Sequence, residues 1–156
     1  MDLSHLDNAG RPRMVDVGGK EETDRVAEAE GRLLLSPAAL EALRAGTGPK
    51  GDPLLVAQIA GIQAAKKTAE LIPLCHPLQL TSVNVQIDVD SELPAVVARS
   101  RVAVRGRTGV EMEAITAVAV ALLTVYDMLK AVDRGMQIDA VRLLRKEGGR
   151  SGIWTA

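Results

Sequence analysis

Thr81-Ser82-Val83-Asn84-Val85-Gln86-Ile87-Asp88-Val89-Asp90 is the stretch from which the fold can be read. Thr81, Val83, Val85, Ile87 and Val89 alternate strictly with Ser82, Asn84, Gln86, Asp88 and Asp90. A period of two suits a strand with one face on a core and the other in water. After a Ser91-Glu92-Leu93-Pro94 turn, Val96, Ala98, Val102 and Val104 alternate with Val97, Arg99, Arg101 and Arg105. That second run is the antiparallel partner, and Gly106 and Gly109 close the hairpin. A sheet with one apolar face needs helices to cover it.

Downstream, Glu111 to Asp133 contains neither Gly nor Pro and is apolar nearly all round from Ala114 to Val125, which predicts a long, largely buried helix. A final strand is expected over Gln137 to Lys146, followed by a Gly148-Gly149-Arg150-Ser151-Gly152 tail. Upstream, Leu55, Ile59, Ile62, Ala69 and Ile72 recur at helical spacing and predict one helix over Leu54–Ile72 with this stripe inward, Gln63, Lys67 and Glu70 forming the wet side. Lys66 falls in the apolar series, so it meets an anion or snorkels to an edge. Asp52-Pro53 starts that helix after a loop that displays Lys50. Ser36 as N-cap and Pro37 at the first helical position start a shorter helix to about Ala45. Thr23 to Ser36 carries helix-favouring glutamates but ends in Arg32-Leu33-Leu34-Leu35, and it reads as a strand. The order is βαββαβ, an α+β sandwich with two helices on one face of an antiparallel sheet. Residues 1–13 read as a flexible N-terminal arm and 14–156 as a single domain.

With 156 residues the chain can bury about two-thirds of its unfolded surface around one core. It has no Phe, one Trp and one Tyr, so base-stacking platforms are essentially absent, and its net charge of −1 gives no bulk attraction to nucleic acid or anionic membrane. The single cysteine excludes an intrachain disulfide, and the N-terminus lacks a secretory pattern, which points to the cytoplasm. The apolar run Ala117–Leu123 is too short to span a bilayer.

Chemistry concentrates at a few places. Pro73-Leu74-Cys75-His76-Pro77 presents a thiol and an imidazole on a stiff, non-helical spur, either a buried lead-in to a strand or a fixed site. Asp127 and Lys130 share a helix face, as a surface ion pair or as an acid–base couple. Glu111 and Glu113 sit in the first turn of the same helix, where the dipole favours negative charge. Glu113 and Asp127 are 14 positions apart, about 21 Å along a helix. Both cannot touch one small substrate within one chain, so either the sites differ or subunits share them. Zinc lacks a third ligand beside Cys75 and His76. Gly18-Gly19-Lys20 and Gly148-Gly149-Arg150 are weak glycine signals, read as turns rather than phosphate cradles.

The run Ala60-Gly61-Ile62-Gln63-Ala64-Ala65-Lys66-Lys67-Thr68 with Leu71-Ile72-Pro73-Leu74-Cys75-His76-Pro77-Leu78 resembles the molybdenum cofactor biosynthesis protein C (MoaC) family, the cyclic pyranopterin monophosphate synthases. Met14-Val15-Asp16-Val17, Lys50-Gly51-Asp52, Thr108-Gly109-Val110-Glu111-Met112-Glu113-Ala114, Tyr126-Asp127-Met128, Lys130-Ala131-Val132 and Val141-Arg142-Leu143-Leu144 extend the resemblance over almost the whole chain. It implies a ferredoxin-like fold and conversion of 3′,8-cyclised dihydroguanosine triphosphate to cyclic pyranopterin monophosphate and pyrophosphate. No metal or cofactor is implied. It also implies a hexamer built as three dimers, with active sites at the dimer interface. Asp127 then corresponds to the catalytic acid or base, with Lys50 and Lys130 as the essential amines. Leu74, Cys75, His76, Met112 and Glu113 correspond to substrate contacts, with Glu111 beside them a further candidate, and the charge on a departing pyrophosphate suits Lys66, Lys50 and Lys130. Two rival functions are a non-catalytic nucleotide-binding module and a zinc-dependent purine-ring hydrolase.

Overall fold

In the computed structural model, which describes residues 5–46 and 51–156, the chain runs β1 (Thr23–Leu34), α1 (Pro37–Ala45), α2 (Pro53–Lys66), α3 (Thr68–Leu71), β2 (Ser82–Val89), β3 (Ala95–Gly106), α4 (Glu111–Leu129), β4 (Gln137–Glu147) and β5 (Trp154–Thr155). The strands form one antiparallel sheet in the order β2-β3-β1-β4-β5. Its four long strands interleave as in a ferredoxin-like sandwich, in keeping with the βαββαβ order read from the patterning and the fold implied by the resemblance. The β2–β3 hairpin turns where the Asp90 carboxylate accepts the backbone N–H groups of Glu92 (2.8 Å) and Leu93 (2.9 Å).

β1 lies between β3 and β4, with Ala27, Ala29, Gly31 and Leu33 buried while Glu28, Glu30 and Arg32 point to the other face. The inward residues are small because α4 lies close. A Cβ on Gly31 would approach Val118 Cγ1 to 2.9 Å and Val141 Cγ2 to 2.8 Å. On the outer face, cross-strand partners pair by charge, with Arg101 3.2 Å from Glu28, and Glu30 held by Arg142 at 2.8 Å and Arg99 at 3.7 Å. Each exposed pair contributes little energy, about 0–1 kcal/mol. Together they favour the register that keeps alanines inward.

α4 has the length and hydropathy of a membrane span, more than the run Ala117–Leu123 alone indicated. It is instead the core helix: Ala114, Ala117, Val118, Ala121, Leu122 and Val125 are fully buried against the sheet and α2. Burying each large side chain contributes roughly 1.5–3 kcal/mol. The helix stops at Leu129 rather than Asp133. There the Asp133 carboxylate accepts the N–H of Ser36 (3.0 Å) and of Gly135 (2.7 Å), drawing the chain towards the start of α1.

Three other expectations need correction. The single helix over Leu54–Ile72 is broken at Lys67 into α2 and α3. Its apolar stripe faces the core only in part: Ile62 packs against it, but Leu55 and Ile59 are 59% and 60% exposed, whereas Ala57, Gly61, Ala64, Ala65 and Thr68 are buried. Small side chains win because α2 crosses α4 at close range, where a Cβ on Gly61 would lie 2.9 Å from the Ala117 carbonyl oxygen. The C-terminal stretch is not a plain tail: after the expected glycine turn, with Gly148, Gly149 and Gly152 all at positive φ, the chain returns as β5 beside β4. The helix starts held. Ser36 Oγ accepts the Ala39 N–H, and the Asp52 carboxylate accepts that of Leu54 at 2.8 Å.

Candidate active site

The first turn of α4 faces two joined cavities, of about 290 and about 800 Å³, which share Lys20, Thr108, Gly109 and Glu111 as lining. The smaller holds the proline-bracketed spur. Leu74, Cys75, His76, Met112 and Glu113 line it together with His5, Val15 and Val17. Six of the residues singled out from the sequence, Leu74, Cys75, His76, Glu111, Met112 and Glu113, are thus brought together. The His76 imidazole donates its Nε2–H to the Val15 carbonyl at 2.6 Å, which fixes the ring against the segment preceding β1.

Glu113 is 4% exposed. Burial pushes its carboxyl above the usual carboxylate range, and the neighbouring Glu111 charge adds to that rise. Burial likewise raises the Cys75 thiol, with the Glu113 charge as a second cause. A thiol held protonated in this way is suited to packing, the opposite of what a thiolate nucleophile or metal ligand needs. Among the described residues no three His, Cys, Asp or Glu side chains gather as a metal-ligand set.

The larger cavity is cationic. Lys20, Arg25, Arg107, Lys146 and Arg150 line it, against the carboxylates of Glu21 and Glu111. Lys146 pairs with Glu111 at 3.1 Å, joining the end of β4 to the start of α4. Arg25 is held by its own donors: Nε reaches the Gly106 carbonyl at 3.0 Å and Nη2 that of Arg107 at 3.3 Å. Gly148 and Gly149 wrap it closely, since a Cβ on Gly148 would collide with the Asp24 carbonyl and one on Gly149 with the Arg25 guanidinium. The two glycine signals read as turns are indeed turns, and they also bracket this cationic space. Arg25, Arg107, Lys146 and His5 were not singled out from the sequence as site residues. The pairing of two Gly-Gly-cation tripeptides at opposite ends of the chain was the signal that could have pointed there.

Other expected site residues lie elsewhere. Asp127 and Lys130 pair at 2.6 Å at the far end of α4, both about half exposed. Lys66 is exposed and lines another groove with Ile62, Leu80 and Leu78, the last of which also lines the smaller cavity. Lys50 lies outside the described residues.

The model of the MoaC family matches residues 14–149, a span that carries nearly all of both cavities. The chain belongs to the MoaC family. Among MoaC relatives it is 60% identical over 153 residues to the cyclic pyranopterin monophosphate synthase of Thermomicrobium roseum, covering 98% of this chain and 92% of that protein. It is 56% identical over 155 residues to the protein of that name from Novosphingobium aromaticivorans, covering 99% of this chain and 98% of the relative. His5, Arg150 and Ser151 lie outside the span matched by the MoaC model yet line the cavities.

Proposed function

We propose that this protein is a cyclic pyranopterin monophosphate synthase, a lyase of molybdenum cofactor biosynthesis. It takes 3′,8-cyclised dihydroguanosine triphosphate and releases cyclic pyranopterin monophosphate and pyrophosphate. The observation that carries this reading is the junction of a cationic cavity with a smaller one holding a desolvated carboxyl, an imidazole and a thiol. Such a pair fits a small molecule with a polyanionic tail and a hydrogen-bonding ring system. The arginines and lysines stabilise charge on a departing pyrophosphate. Glu113, whose carboxyl burial shifts towards the protonated form, can exchange a proton with a ring heteroatom, while His76 orients the ring system.

Asp127 and Lys130 supply the main acid–base work together with Lys50, and they do so from a second copy of the chain. The length of α4 supports this, because Asp127 stands about 21 Å from Glu113 along one helix. Leu55 and Ile59 on α2 and Leu123 on α4 are more than half exposed, which supports burial of this side in an oligomer. The assembly is a hexamer of three dimers with the site at the dimer interface, working in the cytoplasm. Lys66 belongs to the phosphate side of that shared site.

The test is incubation of the purified protein with the cyclised triphosphate, following pyrophosphate and pterin product. Lys50→Ala, Asp127→Ala and Lys130→Ala should each lower turnover by about a hundredfold or more. Undiminished activity in all three overturns the assignment of roles. Tight binding without pyrophosphate release would favour the nucleotide-binding module, and activity lost to a chelator and restored by zinc would favour the hydrolase.

A further inference from the structure

The arm ahead of the family-matched span brings the chain's second histidine to the ring side of the site. Its turn is closed by a Leu6–Pro12 bridge and by Asp7, whose carboxylate accepts the N–H groups of Ala9 and Arg11, both at 2.9 Å, and pairs with Arg11 Nε at 2.9 Å. The His5 carbonyl accepts the Arg13 N–H at 2.9 Å, so the chain doubles back and sets His5 beside the segment that follows. That segment supplies the Val15 carbonyl that holds His76. One stitched piece of backbone therefore positions both imidazoles around the same cavity. The titratable and charged groups facing that space are Lys20 ahead of β1, Cys75 and His76 on the spur, and Glu111 and Glu113 on α4. His76 has one nitrogen committed to Val15, whereas His5 is exposed and its imidazole carries no hydrogen bond to the described residues. An imidazole is the side chain best suited to exchanging protons near neutral pH.

We propose that His5 is a substrate-touching residue, whose imidazole hydrogen-bonds the ring system and gives a proton to one of its nitrogen or oxygen atoms, regaining that proton from water at its exposed face. Asp7 is the positioning residue that holds it there. The proposal rests on the synthase reading above, and two measurements separate the two.

The first is steady-state kinetics of the full chain from pH about 5.5 to about 9, the range in which histidines titrate. His5→Gln should lower kcat/KM by about tenfold or more and remove one limb of its pH profile, with an unchanged melting temperature. Asp7→Ala should give a smaller fall and keep both limbs. A His5→Gln enzyme with the wild-type kcat/KM and pH profile overturns the proposal, as does a loss that merely follows a lowered melting temperature.

The second is an NMR titration with GTP as an unreactive probe. The chain has two histidines, so two imidazole signals are expected, and His5→Gln assigns them by removing one. GTP should shift both. A shift of the His76 signal alone sinks the role of His5 and leaves the synthase reading standing. A shift of neither sinks the role of His5 together with the site it rests on, even if the enzyme turns over.

Discussion

Glu113 occupies a first helical turn, where the dipole favours its charge, in a cavity where burial opposes it. Burial wins, and the folded-state pKa lies above the unfolded one. Below the ordinary glutamate range both states are protonated and nothing is lost. As pH rises through that range the unfolded chain ionises first, so stability falls until the native carboxyl has ionised as well. Glu113→Gln removes this dependence. Denaturant unfolding across pH should show the variant equal to wild type in acid and more stable at neutral pH and above, while turnover falls by about a hundredfold. A variant less stable at neutral pH would show that the charge is welcome there. At this scale the sequence announced carboxylates and the spur well, because prolines and a helix start are local signals. It hid Arg25 and Lys146, because a cation in a strand looks the same whether it faces water or a cavity. Arg99 and Arg101 are strand cations too, yet they simply line the outer sheet face, paired with Glu30 and Glu28.

Elements were legible where one neighbour decides them. β2 and β3 alternate cleanly, and Ser36-Pro37 and Asp52-Pro53 cap helices with short-range bonds. α2 was misjudged because hydropathy assumes that the largest apolar side chains seek the core, whereas close crossing of two helices selects the smallest. Gly61 tests this directly. Its missing Cβ would meet the Ala117 carbonyl at 2.9 Å, Val85 Cγ1 at 3.1 Å and Ala121 Cβ at 3.3 Å. Alanine would gain about 1 kcal/mol of helix propensity. Overpacking against a rigid backbone costs roughly 1–3 kcal/mol. Gly61→Ala should therefore be neutral to about 2 kcal/mol less stable by chemical denaturation, and Gly61→Val clearly worse. If both variants were stabilised, α2 and α4 would not cross as closely as described.

The whole molecule sets its own condition, which no single residue shows. One helix carries Glu113 at its start and Asp127 near its end, and its length separates them by about 21 Å. The cationic cavity and the ring-side cavity both lie at the Glu113 end. If Asp127 and Lys130 act on the same substrate, they arrive from another chain, and a two-fold axis would pair the start of one α4 with the end of its partner. Complementation distinguishes this from two unrelated sites. Asp127→Ala and Glu113→Ala chains, each inactive alone, are combined by co-expression and assayed for pyrophosphate release. With random pairing about half of the dimers are mixed, and each mixed dimer has one site free of both substitutions, so about a quarter of wild-type activity should return. Combining Asp127→Ala with Lys130→Ala should restore nothing, since both residues come from the same end of the same chain. Absence of recovery in the first mixture, with mixed oligomers shown to be present, would mean that each chain acts alone and that Asp127 and Glu113 serve different ligands.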